Sequence, residues 1–206
     1  MPSKTRLNGI KTGGGKFSMN NEPVDQDIAT TIKFEDMPVL CLLGPISVGK
    51  SSLAHRYVFG EFPKESEPTI GKKVNSYRLH QGGLVIGEVG GHDIYFNLWK
   101  DVIQESDMVA YCFSSETVSN PEFVDGLNLL ENQILPHIKK QPLAIFVTKL
   151  DLTSEEERFK LVAETRKELI KLFKSTSKPV RWNVFGCSAL DGWGIHNGIT
   201  WLFANL

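Results

Sequence analysis

The sequence feature that most constrains the fold of this chain is an apolar run followed at once by a loop with two fixed glycines. Val39–Leu43 is a continuous apolar segment, which is typical of a strand buried in a parallel sheet. The loop after it fits the pattern G-x-x-x-x-G-K-[ST] at Gly44, Gly49, Lys50 and Ser51. Backbone N–H groups in such a loop curl around a phosphate at the start of the next helix, and glycine permits the close approach. These residues therefore predict a phosphate-binding loop between a buried strand and a helix.

The same loop indicates how a nucleotide and its metal ion would be held. Lys50 would reach the β- and γ-phosphates, where its charge also favours phosphoryl transfer, and the Ser51 hydroxyl would ligate Mg²⁺. The predicted nucleotide contacts of this segment, through backbone amides and side chains, are Gly44, Ser47, Val48, Gly49, Lys50, Ser51 and Ser52.

The composition is that of an ordinary globular protein and argues against several function classes. The chain has 206 residues, 41% hydrophobic and 23% charged, with a net charge of −1, so nothing indicates a nucleic-acid partner. Cys41, Cys112 and Cys187 lie in apolar runs without metal-ligand spacing and are predicted to be reduced and buried. No apolar run reaches the length of a membrane span. We expect a cytoplasmic monomer; contact with a membrane surface stays open, although no lipidation motif supports it.

Two parts of the chain differ in character. Residues 1–36 carry four basic residues before the first acidic one and contain Gly13-Gly14-Gly15, so a disordered basic extension is predicted. Residues 37–206 alternate strand-like and helix-like segments, which is the pattern of an α/β fold with a mainly parallel sheet. We expect about six strands and five helices there, all in one domain.

Three local patterns give specific expectations about this domain. Gly82-Gly83 separates two strand-like runs and predicts a hairpin turn. Asn120 predicts the cap of a helix whose apolar residues recur as far as Ile138. Ser154 and Glu157 fit a capping box at the start of a charged helix. The buried stripe predicted for that helix consists of Phe159, Val162, Leu169 and Phe173.

The prediction of which nucleotide base is bound depends on the tetrapeptide Thr148-Lys149-Leu150-Asp151. This tetrapeptide directly follows an apolar strand-like run. The carboxyl end of a parallel strand is where ligands bind, and Asp151 can accept hydrogen bonds from guanine N1–H and N2–H₂. An isolated Asp would more simply be a helix cap or a turn residue, but its position after a phosphate loop favours guanine. The predicted base contacts are Thr148, Lys149, Asp151, Ser188 and Ala189, the last through its N–H to guanine O6.

Two further loops would face the γ-phosphate of a bound nucleotide. Thr69, beside Pro68, follows the first helix and offers its hydroxyl as a second Mg²⁺ ligand. Glu88 ends a strand-like run and brings a carboxylate near the metal, and Gly91 could donate its N–H to the γ-phosphate. Both loops could be ordered by the γ-phosphate and Mg²⁺ and released when the γ-phosphate is lost.

These stretches, in this order, resemble the small GTPases of the Ras superfamily, and most closely the ADP-ribosylation-factor (Arf/Arl) family. The Pro-Thr-x-Gly loop around Thr69, the double glycine of the second loop and the following Trp99 carry the likeness, which covers residues 37–206. The resemblance implies a Ras-like P-loop NTPase fold, with a six-stranded, mostly parallel sheet between helices. It implies a molecular switch that binds GTP and GDP with Mg²⁺ and hydrolyses GTP slowly. It also implies exchange factors, activating proteins and effectors at residues 62–71 and 88–99.

Four positions depart from the family pattern. Glu88 stands where the family usually has Asp, and Thr148 where it has Asn. Ile46 replaces a residue that is usually small or polar and would crowd the group that orients water. His92 takes the place of that group, normally Gln, and is our catalytic candidate beside Lys50. The alternative for His92 is an exposed loop residue without a role in hydrolysis.

Two other functions stay open at this point. The departures beside the γ-phosphate are also compatible with a GTP-binding scaffold that does not hydrolyse. A nucleoside or metabolite kinase would need an acceptor pocket and an Arg-rich lid, whereas the arginines of this chain are scattered. The relative affinity for GTP and ATP, together with the rate of phosphate release, would separate the three.

Overall fold

A β-sheet with helices on both faces forms the centre of the protein. The computed structural model describes residues 36–64, 69–79, 82–176 and 179–206, so the predicted extension lies outside the described residues except for Asp36. The strands are β1 Val39–Leu43, β2 Lys72–Leu79, β3 Gly82–Val89, β4 Met108–Ser114, β5 Leu143–Thr148 and β6 Trp182–Gly186. Their spatial order is β2-β3-β1-β4-β5-β6, and every pair except β2–β3 is parallel. The predicted six-stranded, mostly parallel sheet is confirmed.

Helices cover the two faces of the sheet: α1 Lys50–Phe59, α2 Phe96–Glu105, α3 Pro121–Leu129, α4 Glu155–Ser175 and α5 Ile195–Ala204. Side chains of β1 alternate between two apolar layers. Leu40 and Leu42 pack with α1 and α5, whereas Cys41 and Leu43 belong to the layer under α2, α3 and α4. Both β1 and β4 are buried along their whole length, as expected for central parallel strands. Of the described helices, none is both long and apolar enough to cross a membrane.

The predicted hairpin is confirmed by the antiparallel pairing of β2 with β3, but its turn does not lie at Gly82-Gly83. Both glycines lie in β3, where Gly82 pairs with Leu79 and Gly83 with Arg78, and the chain reversal falls outside the described residues. Gly83 packs closely against the side chain of Met37, whose flexible end would have to move to admit a Cβ. This glycine therefore permits contact between β3 and the segment that enters β1.

The long helix predicted after Asn120 is regular only over its first part. The α-helix ends at Leu129 and is followed by a π turn and a 3₁₀ turn that reach His137. Pro136 explains the change, because it has no N–H and its ring clashes with the preceding turn. Asn120 is the N-cap residue, as predicted, but its side chain makes no capping hydrogen bond and donates to the Glu116 carbonyl oxygen at 2.8 Å instead. The predicted apolar positions further along are buried: Leu130, Ile134 and Ile138.

The start of α4 confirms the capping box, but one member of the predicted stripe is exposed. The Ser154 hydroxyl accepts from the Glu157 N–H, and the Glu157 carboxylate accepts from the Ser154 N–H. Phe159 is 65% exposed, so its predicted burial is wrong. The first turns of α4 face the loop after β6, where Phe159 meets the Trp193 ring edge-on, rather than the sheet. The remaining residues of the stripe pack on the core: Val162, Leu169 and Phe173.

The three cysteines are buried free thiols, as predicted. Burial raises the pKa of Cys41 and of Cys112 to about 12, and it raises the pKa of Cys187 well above its ordinary value. Each side chain belongs to one of the two apolar layers, so core packing explains all three positions.

Candidate functional site

The phosphate loop lies at the edge of the sheet where the parallel strands end. It connects β1 to α1, and the segments that follow β5 and β6 reach the same edge. Ligands of open α/β sheets bind at this edge. A cleft of about 420 Å³ opens there. Its lining includes many of the predicted site residues: Ser47, Gly49, Lys50, Ser51, Ser52, Thr69, Gly91, His92 and Lys149.

The phosphate loop has the backbone conformation of an anion cradle. Gly44 and Gly49 have φ of +138° and +83°, which glycine adopts without strain. A Cβ on Gly44 would lie 2.5 Å from the Cys112 carbonyl oxygen, so glycine is required there. Ser47 has φ of +60°, in the left-handed region, and its neighbour Val48 is buried and anchors the loop. Such a backbone can present consecutive N–H groups to a phosphate at the start of α1.

Lys50 is buried beneath this loop. Its Nζ donates hydrogen bonds to the carbonyl oxygens of Gly44 at 2.9 Å and Pro45 at 2.7 Å. An ammonium group has three donors, so one is left for a ligand in the cleft. Burial lowers the pKa of the Lys50 ammonium, and the nearby charge of Glu88 opposes that shift. The loop itself therefore positions the amine.

Three side chains that carry oxygen meet at the start of α1. The Ser51 hydroxyl lies 3.0 Å from the Thr69 hydroxyl and donates a hydrogen bond of 2.5 Å to Glu88 Oε2. Mg²⁺ prefers oxygen ligands, so these residues fit the ion that the sequence predicts at Ser51 and Thr69. Within the described part of the chain, no group of three or more His, Cys, Asp and Glu side chains is placed to hold a metal. An ion here would therefore depend on hydroxyls, one carboxylate and phosphate oxygens.

Thr148 connects the predicted base loop to the phosphate loop. Its side chain is buried, and its hydroxyl contacts the carbonyl oxygens of Val48 at 2.6 Å and Phe113 at 2.9 Å. Val48 belongs to the phosphate loop, and Phe113 lies near the end of β4. One hydroxyl thus joins three chain segments that meet at the sheet edge. Its proton is shared between two backbone carbonyl oxygens.

The two polar residues that follow Thr148 differ in position, since Lys149 lines the cleft and Asp151 lies beyond it. Lys149 has φ of +58°, and its Nζ pairs with the Glu116 carboxylate at 2.7 Å. The pair lowers the pKa of Glu116, a residue that no sequence pattern marked, because 33 positions separate it from Lys149. Asp151 is half-buried in the short 3₁₀ turn Leu150–Leu152. Among the described residues none donates a hydrogen bond to the Asp151 carboxylate, which is therefore open to a ligand.

The last predicted base contacts follow β6. Ser188 is fully buried, and its N–H donates to a carbonyl oxygen of its own loop. The Leu150 N–H donates to the Cys187 carbonyl oxygen, so the two base loops are adjacent. Ala189 is half-buried, and the described part of the chain provides no acceptor for its N–H. Asp151, Ser188 and Ala189 do not line the cleft itself; they extend the site along the sheet edge.

The residues predicted to face a γ-phosphate are more exposed. His92 contacts the Asp93 carboxylate through Nδ1, and more than half of its side chain is exposed. Ile46 is exposed and lines the cleft together with His92. Gly91 packs directly on the backbone of Pro45 and Ile46, since a Cβ there would collide with both. The second loop therefore lies on the phosphate loop, and Ile46 and His92 share the space beside it.

Comparison with known proteins identifies the family that builds a site in this way. The family model of the ADP-ribosylation factors (Arf) matches residues 27–206. The chain belongs to the Arf family. ADP-ribosylation factor F of Dictyostelium discoideum is 25% identical, over 81% of this chain and 84% of its own length. ADP-ribosylation factor-like protein 3 of Caenorhabditis elegans is 25% identical, over 81% of this chain and 86% of its own length. ADP-ribosylation factor-like protein 6 of Danio rerio is 26% identical, over 83% of this chain and 89% of its own length.

Membership of the Arf family confirms the Ras-like P-loop NTPase fold and the small GTPase class predicted from the sequence. Arf proteins are GTPase switches that bind GTP and GDP, typically with Mg²⁺. Exchange factors, activating proteins and effectors regulate and read them. The match does not support the nucleoside-kinase alternative, and it contains every site residue predicted above.

Proposed function

We propose that this protein is a guanine-nucleotide switch that binds GTP and GDP with Mg²⁺ and hydrolyses GTP slowly, through residues 37–206. The observation that carries the proposal is the hydrogen bond from the Thr148 hydroxyl to the Val48 carbonyl oxygen. Because this bond joins the base loop to the phosphate loop, a nucleotide lying along the sheet edge would meet both loops at once. Membership of a family of GTPases supports the same assignment.

On the phosphate side, each proposed contact has a defined chemical role. The backbone N–H groups of residues 44–52 would surround the phosphates, and Lys50 would add its remaining donor and its charge. The hydroxyl oxygens of Ser51 and Thr69 would hold Mg²⁺. The ion would neutralise charge on the β- and γ-phosphates when bound. Gly91, which packs on the phosphate loop, would direct its N–H to the γ-phosphate.

On the base side, Asp151 is proposed to select guanine. Its carboxylate would accept from N1–H and N2–H₂, two donors that adenine does not present, and no described side chain competes for it. The Ala189 N–H would donate to guanine O6. The stem of Lys149 would cover one face of the base, with its orientation supported by the ion pair to Glu116.

Hydrolysis is proposed to depend on His92, beside the position of a γ-phosphate. A proton on Nδ1 that is donated to Asp93 would leave Nε2 as an acceptor that orients water. Lys50 would stabilise the charge that develops on the phosphates. Ile46 shares the cleft and crowds the water position, which favours a slow intrinsic rate. Membership of a GTPase family favours this interpretation over a scaffold without hydrolysis.

The exposed loops beside the cleft are the proposed contact surface for regulators. Ile70 is 84% exposed and Ile94 is 64% exposed, so each presents an apolar side chain to a partner. They lie within residues 62–71 and 88–99, and residues 65–68 are outside the described part of the chain. An exchange factor, an activating protein or an effector would bind here.

Nucleotide selectivity is the first test of this function. We expect the purified full chain to bind fluorescent GDP and GTP with Mg²⁺, and to bind ATP at least about 100-fold more weakly. Asp151→Asn should shift the preference from guanine toward xanthine nucleotides, because an amide can donate to xanthine O2, whereas a carboxylate would be repelled. Asp101→Asn, at an exposed position of α2, is the matched control. Equal affinity for GTP and ATP, or an unchanged preference in Asp151→Asn, would contradict the guanine assignment.

The rate of phosphate release separates a slow GTPase from a scaffold. In single-turnover experiments, GTP-loaded protein should release phosphate faster than GTP in buffer, and faster still with a suitable activating protein. A rate equal to that in buffer, with and without candidate activating proteins, would leave only the scaffold.

A further inference from the structure

Glu88 is an acidic side chain enclosed at the end of a central strand. It is only 2% exposed, and its strand pairs it with Leu42 of β1. Within the described residues, no Lys, Arg or His forms an ion pair with Glu88. The Lys50 ammonium lies close enough to interact with its charge but donates to carbonyl oxygens instead. A buried carboxylate is costly unless a cation compensates it.

The hydrogen bonds around Ser51 determine which oxygen atoms can reach a cation. A carboxylate only accepts hydrogen bonds, so Ser51 gives its one proton to Glu88 Oε2, and the Thr69 hydroxyl donates to Ser51. Glu88 Oε1 has no donor in the described part of the chain, where every fully buried side-chain N or O atom has a partner. Oε1 is therefore not sealed in the core, and it accepts no hydrogen bond from the described residues.

The spacing of these oxygens suits an octahedral ion. Ligands at about 2.1 Å from Mg²⁺ lie about 3.0 Å from their neighbours, and the Ser51 and Thr69 hydroxyl oxygens are 3.0 Å apart. The hydrogen bond from Ser51 holds Glu88 Oε2 at 2.5 Å from the Ser51 oxygen, so the carboxylate lies beside the same position and Oε1 is the oxygen left to bind an ion. An Asp side chain at this position is shorter by about 1.5 Å, which leaves room for a water molecule between it and the ion.

From these observations we propose that Glu88 is a direct ligand of Mg²⁺ and takes the place of one of its water molecules. The inference rests on the proposed binding of nucleotide and Mg²⁺. With Ser51 and Thr69, Glu88 would complete a set of three protein ligands. The ion would in turn compensate the buried charge of Glu88.

Mn²⁺ in place of Mg²⁺ makes the bond visible by electron paramagnetic resonance of the full chain with a non-hydrolysable GTP analogue, whose γ-phosphate would keep the loops of Thr69 and Glu88 in place. When the protein carries ¹³C at its Glu side-chain carboxyls, we expect the ¹³C hyperfine coupling of a directly bound carboxylate. This measurement needs no variant. Line broadening in ¹⁷O-enriched water should also count one bound water fewer in the natural chain than in Glu88→Asp.

Glu88→Gln supplies a matched test, because it keeps the length of the side chain and removes its charge. Mn²⁺ should leave the GTP-analogue complex of this variant at least about tenfold more readily. Glu131→Gln, at an exposed position, should behave like the natural chain. Absence of the ¹³C coupling in the natural chain would overturn the inference. Failure to form any complex of Mn²⁺ with GDP or with the GTP analogue would refute the proposed function instead, so the two failures are distinguishable.

Discussion

The two sides of the cleft are built in different ways. Beneath the phosphate loop and at its junction with the base loop, Lys50 and Thr148 respectively are buried, and each contacts two carbonyl oxygens. On the γ-phosphate side, Ile46 and His92 are exposed, and the second loop meets the phosphate loop through the backbone of Gly91.

Because of this difference, substitutions on one side should change nucleotide affinity, and substitutions on the other side should change the rate of hydrolysis. A change at the buried junction leaves polar backbone atoms without partners, so it alters both stability and affinity. A change at an exposed loop position costs the fold little, so Ile46 and His92 can tune a rate independently. The chain can therefore depart from its family beside the γ-phosphate and keep the elements that would bind a nucleotide.

The largest effect is expected from breaking the buried junction with Thr148→Val. Valine keeps the shape but removes the hydroxyl that contacts the carbonyl oxygens of Val48 and Phe113, which should lower the free energy of unfolding by about 1–3 kcal/mol. GDP affinity should fall by about tenfold or more, because the base loop loses its tie to the phosphate loop. Urea unfolding and fluorescent-GDP dissociation measure the two effects. Thr148→Ser keeps the hydroxyl and is the control; a Val variant as stable as the Ser variant would show that this bond does not hold the junction.

An intermediate effect is expected on the exposed side from the double variant Ile46→Gly and His92→Gln. Single-turnover GTP hydrolysis should rise by about tenfold, because the change removes crowding and supplies the family's usual water-orienting amide. GDP affinity should stay within about twofold, since neither side chain is buried. The single variants Ile46→Gly and His92→Gln, measured separately, show how much each change contributes to the increase in the hydrolysis rate. A slower double variant would show that His92 already positions water better than Gln can in this cleft.

The smallest effect is expected at the exposed ion pair between Lys149 and Glu116. The hydrogen bond from Lys149 lowers the pKa of Glu116 from its ordinary value of 4.5. The pair therefore stabilises the fold above that pH, and the contribution is lost as the pH falls through the lowered pKa. Glu116 is more than half exposed, so Glu116→Gln should cost less than about 0.5 kcal/mol at neutral pH. Thermal unfolding from neutral pH down to about pH 3 checks this; a difference between the two proteins that does not shrink in acid would contradict it.

The elements of the site that can be predicted from the sequence are local ones. The phosphate loop and the loop of Asp151 each need particular residues at a fixed spacing after a buried strand, and that spacing is visible in one short stretch. The sheet follows from the alternation of apolar strands with helical patterns. The residues of both loops therefore meet at one edge, as the fold class requires.

The elements that the sequence does not predict depend on contacts between distant residues. The bond from Thr148 to Val48 spans 100 positions, and the one from Ser51 to Glu88 spans 37. Gly83 resembles a turn residue until its contact with Met37 is seen. Periodicity likewise shows which face of a helix a residue occupies, but it does not show how far the facing sheet extends. This is why the sequence predicts a buried Phe159, whereas its side chain is exposed.

The burial of the three thiols has a practical consequence. Burial raises the pKa of Cys41 and of Cys112 to about 12, so these thiols stay protonated at neutral pH, and the thiolate is the form that alkylating reagents attack. The natural chain is therefore a nearly silent background for single-cysteine labelling. A cysteine introduced in place of the exposed Ile70 or Ile94 would carry a fluorophore or a spin label almost alone. Movement of the loops around the cleft would then be readable by spectroscopy without removing any native cysteine.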